Sequence, residues 1–367
     1  MKTVCKADTQ TVKAKPFVHQ VGGRTSMLVI TPETICKLYT KREVQFYENI
    51  PEILKAFTPQ YKGLVTVKCS KEEDKLTFYA EVPGYILWNK DHQNNIDDCD
   101  ALKLGLDNWS RTCEKGYRDF WADSTDHNYI MLENLVGSLR MPCILDLKLG
   151  TKQTGDDTSE KDRKLREFRS AHSTSGSLGI RLTGMHMYQS ESNTYLSHNK
   201  FYGWTLDDSG LRQVLRQFFN RSHMLNVHLV ARMISKLRRL RLVLSTQDKF
   251  YFFGSSLLLF YDGYIDTALH LDHSKSAHRC SDRMSKQSEH LYEHAPRDQK
   301  DGGKREAFEM EAILQSQCDA ADARLIDFGR AVQKSEMKER SLGVEFEEGL
   351  LFGLDNLICI LQSMVCI

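Results

Sequence analysis

Short apolar runs separated by polar and Gly-containing segments dominate the first 140 residues and predict mainly β-structure there. Residues 17–30 read as strand, a Gly22-Gly23 turn and a second strand. Further elements predicted in this part are strands at residues 34–37, 65–67, 76–85 and 129–136, and helices at residues 41–48 and 106–120. We therefore expect a β-rich N-terminal part with few helices.

Helical periodicity becomes frequent in the second half of the chain. Apolar residues recur at helical spacing from Leu211 to Phe219 and predict an amphipathic helix. The other elements predicted here are a helix capped by Ser159 or Thr158, a turn and strand over 173–188, a strand at 199–203, a helix over 225–245, strands at 254–263 and 323–329, and a C-terminal helix over 349–361. The chain as a whole is predicted to be α+β.

Charge and composition narrow the classes of function. Fifty Lys and Arg residues balance 49 Asp and Glu residues, giving a net charge of +1, so general coating of nucleic acid is not expected. Ten scattered cysteines without a Cys-x-x-Cys pair indicate reduced thiols and a cytoplasmic or nuclear location. We expect no signal peptide, and no apolar stretch long enough to span a membrane.

The most informative stretch is the predicted buried strand Pro142–Gly150. Alternation along a strand places Leu145, Leu147 and Leu149 on one face and Asp146 and Lys148 on the other. A carboxylate and an ammonium on an apolar strand are costly to bury without partners. The strand therefore carries either a functional site or a polar face that lies in water at a sheet edge.

Three motifs in order resemble those of the inositol polyphosphate kinase family. They are Pro142-x-x-x-Asp146-x-Lys148-x-Gly150, the strand Gly254–Gly263 with its Ser-Leu-Leu sequence, and Ile326-Asp327-Phe328. Residues 42–48 and 57–63 most resemble the inositol hexakisphosphate kinase branch, and the resemblance runs from about residue 17 to about residue 362.

The resemblance implies an α+β, two-lobed, protein-kinase-like (ATP-grasp-like) fold with an antiparallel sheet in each lobe. Residues 1–15 are polar and are predicted to be mobile. The resemblance implies an N-lobe at 16–136 with a nucleotide hairpin and hinge, and a C-lobe at 137–367 with the catalytic strand and a substrate helix. Residues 272–305 are polar and lack an apolar period, so they are predicted to be a flexible insert through which protein partners could bind. A zinc site on the histidines of this insert is disfavoured, because their spacing matches no known finger.

The resemblance also assigns the nucleotide site. Lys37 on a strand followed by Glu43 on a helix matches the ion pair with which protein kinases hold ATP phosphates, although an ordinary surface salt bridge remains the alternative. Backbone groups at Glu133 and Leu135 in the hinge would pair with adenine. Asp327 and Ser256 are the expected ligands for Mg²⁺ and the ATP phosphates.

The chemistry would centre on Asp146 and Lys148. Lys148 is expected to contact the transferred phosphoryl group. Asp146 would act as a base if the acceptor is a hydroxyl, or align the metal or Lys148 if the acceptor is a phosphate, which is already ionised. The expected cationic clamps for an anionic acceptor are Lys148, Lys152, Lys161, Lys164, Arg181 and Lys200.

Two observations leave alternatives open. Lys161 and Lys164 share a helix face, but interleaved acidic residues also suit a solvated helix of mixed charge. Trp204 stands where the family normally has Arg, and Gly329-Arg330 stand where it usually has Ala-His. The expected function is an ATP- and Mg²⁺-dependent inositol hexakisphosphate kinase that makes an inositol pyrophosphate. The alternatives are a multikinase or trisphosphate 3-kinase acting on a ring hydroxyl, and a non-enzymatic scaffold that binds inositol phosphates.

Overall fold

The fold is described from a computed structural model of the chain. The structure describes residues 9–23, 27–72, 75–87, 121, 126–154, 158–221, 224–264, 321–337 and 340–365. The predicted helix at 106–120, the insert at 272–305 with its histidines, and residues 1–8 lie outside the described residues.

Six antiparallel strands of the N-terminal lobe close into a barrel in the order β1-β2-β3-β6-β4-β5. Inward-facing residues such as Leu28, Val67 and Phe78 pack around Trp121 in its interior. The strands are β1 (Thr9–Pro16), β2 (Leu28–Thr31), β3 (Thr34–Leu38), β4 (Tyr61–Glu72), β5 (Lys75–Pro83) and β6 (Asp126–Glu133). Since adjacent side chains alternate between faces, the outer face of the barrel is free to carry charged groups.

The C-terminal lobe is built on a five-stranded antiparallel sheet in the order β14-β13-β7-β8-β9. Its strands are β7 (Pro142–Leu149), β8 (Ile180–Gln189), β9 (Thr194–Asn199), β13 (Ser256–Asp262) and β14 (Asp322–Ile326). The central strand β7 is buried along nearly its whole length. Two small ribbons complete the strands: β10 (Asn220–Arg221) with β11 (Met224–Leu225), and β12 (Phe250–Phe252) with β15 (Ala331–Gln333).

Eight α-helices lie in the described part of the chain, two of them in the N-terminal lobe. They are α1 (Lys41–Glu48), α2 (Glu52–Lys55), α3 (Glu160–Ala171), α4 (Thr174–Leu178), α5 (Lys200–Thr205), α6 (Asp208–Phe218), α7 (Val227–Thr246) and α8 (Arg340–Val365), and a 3-10 turn follows β5 at Gly84–Leu87. Phe46 of α1 stacks on Phe328 and contacts Phe250 and Phe252, so both lobes share one apolar core.

Helix α8 is the longest helix of the described chain. Its segment Glu347–Val365 is long and apolar enough to cross a membrane by length and composition, and half of it is buried inside the protein. This differs from the prediction that no stretch is so apolar. Leu354, Leu357 and Leu361 are fully buried where α8 packs against α7, which accounts for the hydropathy of a core helix.

The α+β fold with an antiparallel sheet in each lobe is confirmed, and five local predictions are corrected. Residues 9–15, predicted to be mobile, form β1, which is held by pairing with β5; residues 17–21 are irregular. Residues 200–203, predicted as strand, begin α5, because the Asn199 side chain caps the N–H groups of Phe201 and Tyr202. Residue 327 follows β14 rather than lying in it, and residues 174–178 form a helix.

Candidate active site

Lys37 joins the two lobes at the centre of the site. Its Nζ lies 2.7 Å from Glu43 Oε1 on α1 and 2.6 Å from Asp327 Oδ1 in the C-terminal lobe. Glu43 is buried and also accepts a hydrogen bond of 3.2 Å from the backbone N–H of Phe328. The predicted Lys37–Glu43 pair therefore forms, and it is part of a triad rather than an ordinary surface salt bridge.

The triad fixes the charges of its members. Burial alone would raise the pKa of Asp327, but the ammonium groups of Lys37 and Lys148 outweigh it and lower the pKa to about 2. Burial alone would lower the pKa of Lys37, but the carboxylates of Asp327 and Glu43 raise it. Asp327 also has a φ of 66°, a left-handed conformation that is strained for a residue other than glycine. Lys37 is thus charged, and the Asp327 carboxylate is ionised and about one third exposed.

Asp146 and Lys148 lie on β7 opposite Ser256 and Leu258 of β13. Lys148 pairs in register with Ser256, and its Nζ lies 3.4 Å from Ser256 Oγ. A β-bulge between β7 and β8 occurs next to Asp146, where the hydroxyl of Thr183 donates to the backbone carbonyl of Asp146 at 2.9 Å. Such bulges redirect a side chain, and here the bulge lies at the candidate catalytic residue.

Burial shifts the pKa values of Asp146 and Lys148 in opposite directions. Asp146 is 4% exposed, its Oδ1 has no hydrogen-bond partner, and burial together with the negative charge of Asp327 raises its pKa. Burial also lowers the pKa of Lys148. Both shifts favour the uncharged forms. A charged ligand next to these two side chains would offset the free-energy cost of their desolvation.

The same face of the sheet changes from apolar to charged along β7. Ile144 and Phe260 pair across β7 and β13 and pack with Val136, while Leu135 and Leu258 are partly buried against them. The charged end follows two and four residues further along β7, at Asp146 and Lys148. A ligand with an apolar ring and a polyanionic tail would match this gradient.

The prediction that backbone groups of Glu133 and Leu135 pair with adenine changes at the N–H group of Glu133. The backbone N–H of Glu133 donates to the carbonyl of Gln60 at 2.9 Å, and its carboxylate accepts from the N–H of Gln60 at 3.1 Å. The N–H of Glu133 is therefore not available to adenine. Leu135 lies in the turn after β6, beside the apolar end of the site.

The predicted clamps differ in how close they come to this centre. Arg181 is buried on β8 in register with Lys148. Lys200 begins α5 and lies 5.4 Å from the ring centroid of Phe201. Lys152, Lys161 and Lys164 are exposed, and Lys164 lies 3.4 Å from Glu160 on its own helix. The structure thus brings Arg181 into the centre, while the lysines of α3 lie on the surface.

Sequence reasoning missed two contributions. Arg330 donates to the carbonyl of Gln153 at 3.3 Å, and its positive charge helps to lower the pKa of Lys148, so it adds a cation to the charged end of the site. Gly22 lies against Asp146, and a Cβ there would overlap the carboxylate. The Gly22-Gly23 pair and the change to Arg330 were visible in the sequence, but neither indicated which residue it contacts.

Metal binding at this site would depend on the carboxylates that surround it. Among the described residues no group of three or more His, Cys, Asp or Glu side chains could hold an ion. A single ionised carboxylate at Asp327 nevertheless fits a Mg²⁺ ion that arrives with a polyphosphate, since Mg²⁺ takes one or two carboxylates and completes its shell with phosphate oxygens and water.

Comparisons with known proteins agree on one family. A family model described as inositol polyphosphate kinase matches residues 129–362. Human inositol hexakisphosphate kinase 1 is 30% identical, covering 99% of this chain and 96% of the relative, and human inositol hexakisphosphate kinase 3 is 29% identical, covering 96% and 95%. The solved structure of an inositol phosphate multikinase from S. cerevisiae, in complex with ADP and Mn²⁺, covers 91% of this chain and 99% of that chain with a TM-score of 0.52 and 19% identity.

Proposed function

Since the chain belongs to the inositol polyphosphate kinase family, we propose that it is an inositol hexakisphosphate kinase, which transfers the γ-phosphoryl group of ATP to a phosphate of its substrate to give an inositol pyrophosphate. The observation that carries the choice of substrate is the likeness to hexakisphosphate kinases over nearly the whole chain. Inositol phosphate kinase activity itself follows from the family.

ATP suits the gradient of the site. The adenine ring would lie at the apolar end near Ile144 and Phe260, and the phosphates would extend toward Lys37, Lys148 and Arg330. Glu43 holds Lys37 in place, as the corresponding ion pair does in protein kinases. The relative of known structure binds ADP and Mn²⁺, which is consistent with this use of nucleotide and divalent metal.

Three residues of the site, Asp327, Ser256 and Lys148, would contribute directly to phosphoryl transfer. Asp327 and Ser256 would hold Mg²⁺, which when bound neutralises phosphate charge as the leaving oxygen develops. Lys148 would donate hydrogen bonds to the moving phosphoryl group, because its ammonium lies beside Ser256 and within the field of Asp327. The protein contributes to catalysis mainly by placing these charges, since phosphoryl transfer depends chiefly on positioning and electrostatics.

Asp146 has a role that fits a phosphate acceptor. An acceptor phosphate is largely ionised at neutral pH, because its second pKa is about 6, so it needs no strong base. Asp146 would instead hold the Lys148 ammonium in position, because the two side chains share one face of β7 and their opposite charges attract.

The experiment is a turnover panel. ATP consumption is measured with inositol tris-, tetrakis-, pentakis- and hexakisphosphate for the wild type, Asp327→Asn and the surface control Asp355→Asn. We expect turnover of hexakisphosphate with a diphosphate signal in phosphorus NMR, a loss of at least about 100-fold in Asp327→Asn and no loss in Asp355→Asn. Turnover of the lower phosphates alone would establish a hydroxyl kinase instead, and binding without any turnover would establish the scaffold.

A further inference from the structure

Arg181 is a buried cation that forms no ion pair with a carboxylate in the described part of the chain. It is 4% exposed, and its Nε donates to Ser175 Oγ at 3.4 Å. Within the described part of the chain no carboxylate forms an ion pair with it; Asp146 acts on it through its field alone, and Arg169 repels it. Lys148, its neighbour in register across β7 and β8, is a second cation. An anionic group of a ligand beside Arg181 would offset the cost of burying its charge.

The ring of Trp204 lies over the guanidinium group of Arg181. The guanidinium carbon lies 3.6 Å from the centroid of the Trp204 ring, a short cation–π contact. Trp204 reaches this place because α5 lies directly against β8. Gly203 permits that approach, since a Cβ there would overlap the carbonyl oxygen of Leu182.

The contact between Trp204 and Arg181 determines which N–H groups of Arg181 can still bind a ligand. An aromatic ring covers one flat face of the guanidinium and takes up none of its N–H donors, which point outward in the guanidinium plane. Those N–H groups match the oxygens of a phosphate in a bidentate arrangement. Ser175 accepts from the Nε side, and it also accepts from Gln153 Nε2 at 3.1 Å.

We propose that Trp204 is a positioning residue, which holds the Arg181 guanidinium in one plane so that its edge binds a phosphate group of the inositol phosphate acceptor. The chemistry of the acceptor rests on the proposed function. Trp204 acts through Arg181 and is expected to affect the acceptor rather than ATP. The groups proposed for the ATP phosphates and the metal, Lys37 and Asp327, pair with each other and not with Arg181.

The test compares Trp204→Leu, which removes the ring but keeps apolar bulk, with Trp204→Phe, which keeps an aromatic face. Thr205→Ala, an exposed neighbour on α5, controls for disturbance of that helix. Binding of inositol hexakisphosphate is measured by calorimetry without nucleotide, beside the KM for ATP and the melting temperature. We expect about tenfold weaker binding for Trp204→Leu, about threefold or less for Trp204→Phe, and unchanged values for Thr205→Ala and for the KM of ATP.

A second comparison separates positioning from general support. In an Arg181→Gln background, Trp204→Leu should cause no further loss of binding, because the group that it positions is gone. Undiminished binding by Trp204→Leu, an equal loss in the Arg181→Gln background, or an equal rise in the KM for ATP would overturn the proposal. If the wild type bound hexakisphosphate without phosphorylating it, the proposed transfer would fail while the binding comparison still decided the role of Trp204.

Discussion

The position of the Asp146 carboxyl group destabilises the fold when that group is ionised. The group is almost fully buried, and its Oδ1 has no hydrogen-bond partner. Burial raises its pKa above the unfolded value near 3.9, so the folded state binds the proton more tightly than the unfolded chain does. Its contribution to stability is therefore complete below the unfolded pKa and is lost as the pH rises through the folded pKa.

Replacing Asp146 by Asn should separate stability from activity. The amide keeps the shape and carries no charge, so we expect Asp146→Asn to raise the free energy of unfolding at pH 7.5 by about 1–2 kcal/mol while abolishing turnover. Thermal unfolding at pH 5 and at pH 7.5 checks this: the gain should shrink at the lower pH, as more of the wild-type Asp146 becomes protonated.

Asp322 provides a control of opposite sign. Lys236 and Arg324 lower its pKa despite partial burial, so its ionised form stabilises the fold above the unfolded pKa, and that contribution is lost as the pH falls. Asp322→Asn should therefore lower the melting temperature at pH 7.5. A fall in melting temperature for Asp146→Asn as well would contradict the account of Asp146.

Contacts between distant residues of the site could not be predicted from the sequence. Asp146 and Lys148 follow from alternation along one strand, because the signal is local. The contacts of Arg330 with Gln153 and of Trp204 with Arg181 join segments that are 177 and 23 residues apart. Which cation meets which partner depends on how α5 and residue 330 approach the sheet, and no local pattern encodes that.

At the scale of elements, segment 17–23 covers the catalytic strand. It is braced internally, since Gln20 donates to the carbonyl of Gly22 at 2.8 Å and accepts from the N–H of Met27 at 2.8 Å. Gly22 lies against the Asp146 carboxylate, and Val21 lies against Gly184 of β8. The segment therefore excludes water from Asp146 by direct contact of its backbone.

Gly22→Ala should displace either the segment or the carboxylate, because the new methyl group overlaps Asp146. We expect kcat to fall by about tenfold or more, since displacements of this order commonly have such an effect, with a small change in melting temperature. Steady-state kinetics with saturating ATP measures the effect. Gly184→Ala pushes on the same segment through the carbonyl of Val21 and should produce the same loss. An effect of Gly22→Ala that Gly184→Ala does not reproduce would argue against displacement of the segment.

Elements with local signals were predicted well and elements that depend on distant partners were not. Helix α3 begins where Ser159 accepts a hydrogen bond from the N–H of Asp162, as its capping sequence predicts. Residues 9–16 are polar and form a strand because β5 supplies their hydrogen-bond partners. The aromatic run at 200–203 favours a strand by composition, yet the cap from Asn199 and the close approach of Gly203 to β8 make it helical.

In the molecule as a whole, polar contacts join the two lobes. Beside the Lys37–Asp327 pair, Arg324 of β14 donates to the carbonyl of Thr58 at 3.0 Å in the N-terminal lobe and to Asp322 at 2.7 Å in its own strand. The backbone N–H of Leu325 donates to the carbonyl of Phe57 at 2.7 Å. Arg324 is thus a mostly buried link between the lobes.

Arg324→Met removes this link while keeping most of the apolar stem. It leaves Asp322 with one partner fewer, so we expect a loss of about 2–3 kcal/mol in the free energy of unfolding. The KM for ATP should rise several-fold with little change in the KM for the acceptor, since the nucleotide is proposed to bind between the lobes and the acceptor clamps lie in the C-terminal lobe. The matched control is Arg241→Met, which breaks a half-exposed pair with Asp355 inside one lobe and should cost under about 1 kcal/mol without affecting the KM for ATP. Equal effects of the two substitutions on the KM for ATP would show that the contact between the lobes does not control nucleotide binding.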